Sequence, residues 1–113
     1  LGITFGIKEE TQMMEITVET LQYMLPSLEH LIDVREPDEY AESHVDKTTN
    51  RPLSTIEQWL PTLSTATTYT VICRSGRRSA MAIDRMKQAG ITGVNVDGGT
   101  LAWQAAGYPV TKK

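Results

Sequence analysis

The sequence predicts an α/β domain: a mostly parallel central sheet flanked by helices on both faces. Two observations carry that reading. Short apolar runs alternate with helical patterns along most of the chain. Those runs are apolar on consecutive residues, as in Leu28–Val34 and Thr68–Cys73, which suits strands buried on both faces of a parallel sheet.

The elements follow in order. Leu1–Ile7 places apolar residues at 1, 3, 5 and 7 before the polar stretch Lys8–Gln12. A short strand, the tail of a preceding domain and an expression remnant all fit that pattern. Residues 1–12 are therefore expected to be an N-terminal extension or linker, and 13–113 the domain itself. Ile16 opens a strand, and Thr17 is suited to cap a helix over Val18–Met24 that stops at Pro26. Leu28–Val34 is the next strand. Pro37 at the first helical position, followed by Asp38 and Glu39, predicts a short helix over Pro37–Ser43. Ser54 and Glu57 are spaced as a capping box for a helix through Trp59 and Leu60, ended by Pro61. Thr68–Cys73 is the central strand. Ser79–Ala89 places Ala82, Ile83, Met86 and Ala89 on one stripe, with Gly90 as the stop. Gly93–Val96 is a strand, and Thr100–Ala106 a last helix ended by Gly107.

A chain of 113 residues, 40% apolar and 22% charged, is one compact domain. Its single cysteine excludes an internal disulfide and suits a reducing compartment, so a cytoplasmic location is expected. No apolar run approaches the length of a membrane span. The net charge of −3 is unevenly spread: residues 1–46 hold eleven acids and two bases, and residues 47–113 three acids and nine bases. An acidic chain argues against nucleic acid as a partner, because that needs a broad basic face. Three of the nine later bases fall within Arg74–Arg78, which points to a small anion site instead.

Cys73-Arg74-Ser75-Gly76-Arg77-Arg78-Ser79 holds the only cysteine, at a strand end just before a helix. In such sheets ligands bind beyond the carboxyl ends of the strands. A thiol with an ordinary pKa of about 8.5 is only about 3% ionised at neutral pH. Three features here favour the anion: backbone N–H groups that converge in the turn, the positive end of the helix, and Arg74, Arg77 and Arg78. Gly76 permits a backbone conformation closed to residues with Cβ. The competing reading is a small hydrophobe buried at a strand end. Three arginines beside a merely apolar thiol argue against it.

Residues 15–110 resemble a single-domain rhodanese, of the thiosulfate sulfurtransferase family. The motifs are Leu31-Ile-Asp-Val-Arg-Glu36 with Glu39-Tyr40, Ser43-His44-Val45, the Cys73 loop, and Gly98-Gly99-Thr-Leu-Ala-Trp103 with Ala106-Gly107-Tyr-Pro109-Val110. The resemblance implies a rhodanese-like α/β fold and a sulfurtransferase. Cys73 would take the outer sulfur of thiosulfate, or of a similar small anionic donor, as a persulfide, then pass it to cyanide or a thiol, including a protein thiol. Arg74, Ser75, Gly76, Arg77, Arg78 and Ser79 would bind the substrate, with Asp33 and Arg35 in support. It implies no metal and no organic cofactor; the acidic balance and the lack of a long apolar run argue against nucleic acid and membrane as partners.

The chain departs from the family after Ser43-His44-Val45. Where the family continues with Pro-Gly-Ala and later Asn-Ile-Pro, this chain has Asp46-Lys47-Thr48 and Asn50-Arg51-Pro52. The altered Asp46–Arg51 turn is expected beside the site, where it would affect which donor or acceptor enters. Two rivals stand beside sulfur transfer. A related cysteine phosphatase or arsenate reductase would carry arginine six positions after the nucleophile, where this chain has Ser79; its arginines lie at offsets of one, four and five. A non-catalytic rhodanese-like interaction or sulfur-relay module is the other. His44 is expected to be structural, and His30 exposed or packed. Met81, Met86, Trp59 and Trp103 are expected in the core, and Gly98-Gly99 to form a turn. Two histidines and one cysteine at no ligand spacing make a zinc site improbable.

Overall fold

The computed structural model describes residues 6–8 and 13–112. Among them the strands are β1 (Gly6–Lys8), β2 (Met13–Ile16), β3 (Leu31–Asp33), β4 (Thr48–Asn50), β5 (Thr68–Ile72) and β6 (Thr92–Val96). They form one sheet in the order β1-β2-β6-β5-β3-β4. β1 runs antiparallel to β2, while β2, β6, β5, β3 and β4 are mutually parallel. The helices are α1 (Val18–Met24), α2 (Pro37–Glu42), α3 (Ile56–Trp59), α4 (Arg77–Gln88) and α5 (Gly99–Ala105), with one 3₁₀ turn after α1 and one on each side of α3. None is long and apolar enough to cross a membrane.

The predicted α/β architecture is present, with a core on each face of the sheet. Ile56 and Trp59 of α3 pack with Ala82, Ile83 and Met86 of α4 on one face. Val18 and Leu21 of α1 pack with Trp103 of α5 on the other. The two-residue period of β5 sorts its side chains between them: Tyr69, Val71 and Cys73 join the α3–α4 side, and Ile72 the α1–α5 side. Cys73 is thus delivered to the face that α4 covers.

Several local expectations shift. Ile16 ends its strand rather than opening it. The second strand is shorter than the apolar run, because Leu28 lies outside the ladder in extended backbone. Thr17 caps α1 as expected, accepting from the Thr20 N–H at 3.1 Å. The capping box expected at Ser54 does not form. A 3₁₀ turn over Leu53–Thr55 precedes α3, and the Ser54 hydroxyl donates to Glu36 instead. A reciprocal box forms at α2, between Glu36 and Glu39, where carboxylates alone supply both acceptors. α4 begins at Arg77, two residues before the predicted start. Ala89 closes α4 on its exposed side, and Met81 is 59% exposed, so neither belongs to the core. Met86, Trp59 and Trp103 are buried as expected.

The Asp46–Arg51 turn is divided between the two ends of the sheet. Thr48 pairs with Leu31 and Asn50 with Asp33, so Asp46 and Lys47 precede the amino end of β4, away from Cys73. Lys47 adopts φ +73° and its Nζ donates to the Leu25 and Pro26 carbonyls, at 2.8 and 3.1 Å. This corrects the expectation that the whole turn lies beside the thiol; only its carboxyl end does.

Candidate active site

The parallel register brings the carboxyl ends of β3, β4, β5 and β6 to one edge of the sheet. Cys73 follows β5 there, 1% exposed, and the loop Arg74–Gly76 turns into α4. Gly76 has φ +103°, the left-handed conformation its missing Cβ makes accessible. This turn aims the Gly76 N–H at the Cys73 sulfur, at 3.1 Å. Among the described residues no acceptor pairs with the backbone N–H groups of Arg74, Ser75, Arg77, Arg78 or Ser79. The last three are the first residues of a twelve-residue helix, whose N–H groups and positive dipole end lie beside the thiol.

Ser79 is fully buried, its Oγ 3.3 Å from Cys73 Sγ. Its hydroxyl donates to Asn95 Oδ1 of β6 at 2.5 Å, and Asn95 Nδ2 donates to the Gly76 carbonyl at 3.1 Å. Asn95 therefore ties the turn and the helix start to the neighbouring strand. A further brace comes from α5. Thr100 donates through both N–H and hydroxyl to the Cys73 carbonyl, and the Leu101 N–H to the Arg74 carbonyl. Gly99 allows this approach: a Cβ there would lie 2.4 Å from the Cys73 carbonyl oxygen and 2.6 Å from that of Arg74. The Gly98-Gly99 pair thus does more than turn the chain.

The three arginines of the loop are not equivalent. Arg74 and Arg77 are exposed and have no ion-pair partner among the described residues. Arg78 instead grips Glu39 of α2 with two parallel bonds, of 2.7 and 2.8 Å. Those bonds hold the Glu39 carboxyl down at about 2, against the opposing effect of burial, and raise Arg78 above its ordinary value. This ion pair joins the acidic first part of the chain to the basic second part.

Asp33 and Arg35, predicted in support, are buried at the end of β3. Arg35 donates through Nε and Nη2 to the Asp33 carboxylate and through Nη2 to the Ser43 carbonyl at 2.7 Å. Asn50 Nδ2 bonds the carbonyls of both Asp33 and Arg35. They therefore stiffen the strand end beside the loop. His44 is packed flat on Tyr40, with centroids 3.7 Å apart, and its backbone bridges Thr111. Its role is structural. His30 packs edge-on to Tyr69.

Asn95, Thr100 and Glu39 act on the loop without having been assigned to the site from sequence. Asn95 carried a signal, as the one amide inside the apolar strand Gly93–Val96. Glu39 carried a helix-start signal and a place in the motif with Tyr40, but neither pointed to its partner, 39 residues away.

Comparison with known proteins gives a consistent picture. A family model described as a rhodanese-like domain matches residues 17–106. The putative sulfurtransferase YtwF of Bacillus subtilis is 33% identical over 100 residues, covering 87% of this chain and 97% of its own length. Thiosulfate sulfurtransferase PspE of Escherichia coli is 35% identical over 83 residues, covering 70% of this chain and 80% of its own. Some curated relatives are longer, and the chain spans about half their length. Among solved structures, a rhodanese-related protein from Thermoplasma volcanium superposes with a TM-score of 0.80 at 32% identity, over 88% of this chain and 98% of that one.

Proposed function

The chain belongs to the rhodanese-like domain family, and on that premise we propose that it is a sulfurtransferase working through a persulfide on Cys73. The observation that carries this reading is the seat of the sulfur. Cys73 Sγ accepts the Gly76 N–H at 3.1 Å, at the amino end of α4 and in a loop that also carries exposed Arg74 and Arg77. Positive potential and unpaired N–H groups favour both an attacking thiolate and the anionic persulfide that follows.

With thiosulfate as donor, the Cys73 thiolate attacks the outer sulfur. A bond forms between Sγ and that sulfur, the sulfur–sulfur bond of thiosulfate breaks, and its electron pair leaves with sulfite. An acceptor thiolate or cyanide then attacks the outer sulfur of the persulfide and returns Cys73 as thiolate. The displacement is divided into two covalent steps. The N–H groups of Arg74–Ser79 cradle the sulfane sulfur. Arg74 and Arg77 attract the oxyanion of the donor, while Arg78, paired with Glu39, fixes the start of α4. Asp33 and Arg35 keep the neighbouring strand end in place.

A phosphatase-like reaction is disfavoured by position 79. There the side chain is a buried hydroxyl held by Asn95, and no guanidinium reaches over the thiol from that point. Small inorganic donors suit a nucleophile this enclosed. A reducing, cytoplasmic setting suits an unpaired thiol.

The test is direct. Thiosulfate should add the mass of one sulfur to the intact protein, cyanide should remove it as thiocyanate, and Cys73→Ser should do neither. Absence of both persulfide and thiocyanate from the unmodified protein would reject the reading. Hydrolysis of an aryl phosphate in their place would favour the phosphatase.

A further inference from the structure

Ser79 has one hydroxyl proton and two buried neighbours that compete for it. Its Oγ lies 3.3 Å from Cys73 Sγ and 2.5 Å from Asn95 Oδ1. The Asn95 carboxamide is held in one orientation. Its Nδ2 donates to the Gly76 carbonyl, so the end facing Ser79 is an acceptor only. The Ser79 proton therefore goes to Asn95, and Ser79 turns lone pairs toward the sulfur. A protonated Cys73 fits, with S–H donating to Oγ. For a thiolate the same arrangement sets two acceptors face to face, a contact that works against the Gly76 N–H the sulfur also accepts. The hydroxyl could turn to the sulfur only by leaving Asn95 Oδ1 without its donor. Cys73, Ser79 and Asn95 are at most 5% exposed, so that orphaned acceptor is poorly compensated.

We propose that Asn95 is a positioning residue for the sulfur-transfer reaction: it holds the Ser79 proton away from Cys73 and yields that proton when the sulfur ionises. The inference rests on Cys73 being the nucleophile proposed above. On ionisation the S–H bond breaks, its electron pair stays on Sγ and its proton passes to solvent. The Ser79 hydroxyl then swings from Asn95 to donate to the thiolate. Once the sulfane sulfur is attached, the negative charge moves to the outer sulfur and the hydroxyl returns to Asn95. Of the three states of the sulfur, the bare thiolate is thus the one that draws the Ser79 proton away from Asn95.

Charged groups stand on most of the elements around this network. Arg74 stands on the loop, Arg77 opens α4, and Arg78 follows it, paired with Glu39 of α2. Asp33 and Arg35 end β3 paired with each other, and Asp97 follows β6. α5 brings no charge. These charges set the background on which the competition for one proton acts.

Cys73 is the only cysteine, so its S–H vibration and its alkylation are read without interference. In the unmodified protein, at a pH acid enough to protonate the sulfur, the S–H infrared band should be that of a hydrogen-bonded donor. Ser79→Ala should move it to the higher frequency of a free thiol. Asn95→Ala should release the hydroxyl to the sulfur and raise iodoacetamide alkylation at neutral pH about tenfold, the size of one charge-assisted hydrogen bond, with the rate–pH profile displaced to the acid side. Asn95→Asp, a stronger acceptor of the same shape, should slow alkylation and displace the profile the other way. In a Ser79→Ala background, Asn95→Ala should leave the rate nearly unchanged. A free-thiol band in the unmodified protein overturns the proposal, whether or not the variants fold. So does an Asn95→Ala rate that is unchanged or lower, or a gain that persists without Ser79. None of these measurements uses a sulfur donor. Failure of thiosulfate to load Cys73 would reject sulfur transfer and leave the proton competition standing.

Discussion

Replacing Glu39 by glutamine should destabilise the fold at neutral pH and do almost nothing in strong acid. In the folded protein the two bonds from Arg78 hold the Glu39 carboxyl at about 2, below its ordinary 4.5. At 1.36 kcal/mol for each tenfold change, that difference sets a ceiling of about 3.4 kcal/mol. The side chains of Arg78 and Glu39 are 32% and 28% exposed. Solvent screening therefore leaves about 1–2 kcal/mol as the expected loss. The folded value lies below the unfolded one, so the contribution is complete above the unfolded value, declines through the acid range, and is lost as pH falls through about 2. Glutamine keeps an oxygen that can accept the Glu36 N–H, now at 2.9 Å from Oε1, so the helix cap survives while the charge goes. Urea unfolding of both proteins, near neutrality and near pH 2, measures the gap. A gap of equal size in acid, or none at neutrality, would refute the assignment of this stability to the ion pair.

Three further outcomes follow from the same geometry. Gly99→Ala places a Cβ against two carbonyls of the Cys73 loop at φ +58°, and should lower stability by about 2–4 kcal/mol; thermal unfolding and persulfide yield should fall together. Lys47→Gly should be about 1 kcal/mol more stable than Lys47→Ala, since both lose the Nζ bonds to Leu25 and Pro26 but only glycine relaxes φ +73°. Urea unfolding separates the two, and sulfur transfer should be unaffected at the far end of the sheet. Replacing Arg74 and Arg77 together by alanine should raise KM for thiosulfate several-fold and leave kcat nearly constant, with a weaker dependence of KM on salt than in the unmodified protein.

The sheet and the position of the thiol were legible in the sequence because they rest on short-range rules. Apolar runs in alternation with helical stripes mark a parallel sheet, and Thr17, Pro37 and Gly76 act within a few residues of themselves. What escaped was set by residues far apart in sequence. Ser54 looked like a cap because its neighbours fit the pattern, but Glu36, 18 residues earlier, takes its hydroxyl. Met81 sat in an apolar-looking segment, and only the direction from which α4 meets the sheet leaves it outside. The unusual turn after His44 read as one feature. The register of β4 assigns Lys47 to one end of the sheet and Asn50 to the other.

Arginine spacing likewise counted three cations over the thiol, whereas the fold leaves two of them unpaired. Arg78 is spent on Glu39, where it clamps α2 to the start of α4. That distinction changes what the loop can hold. A tetrahedral phosphoryl group needs a guanidinium fixed over the nucleophile, and the one arginine fixed in this loop points its fork at a carboxylate of its own chain. The two unpaired arginines are exposed, so they attract an anion without gripping a transition state. The sulfur itself meets backbone N–H and a hydroxyl within 3.3 Å. On the proposed sulfur-transfer reading, one added sulfur atom would meet these same donors. The division of labour among three neighbouring arginines thus favours transfer of an atom over transfer of a phosphoryl group.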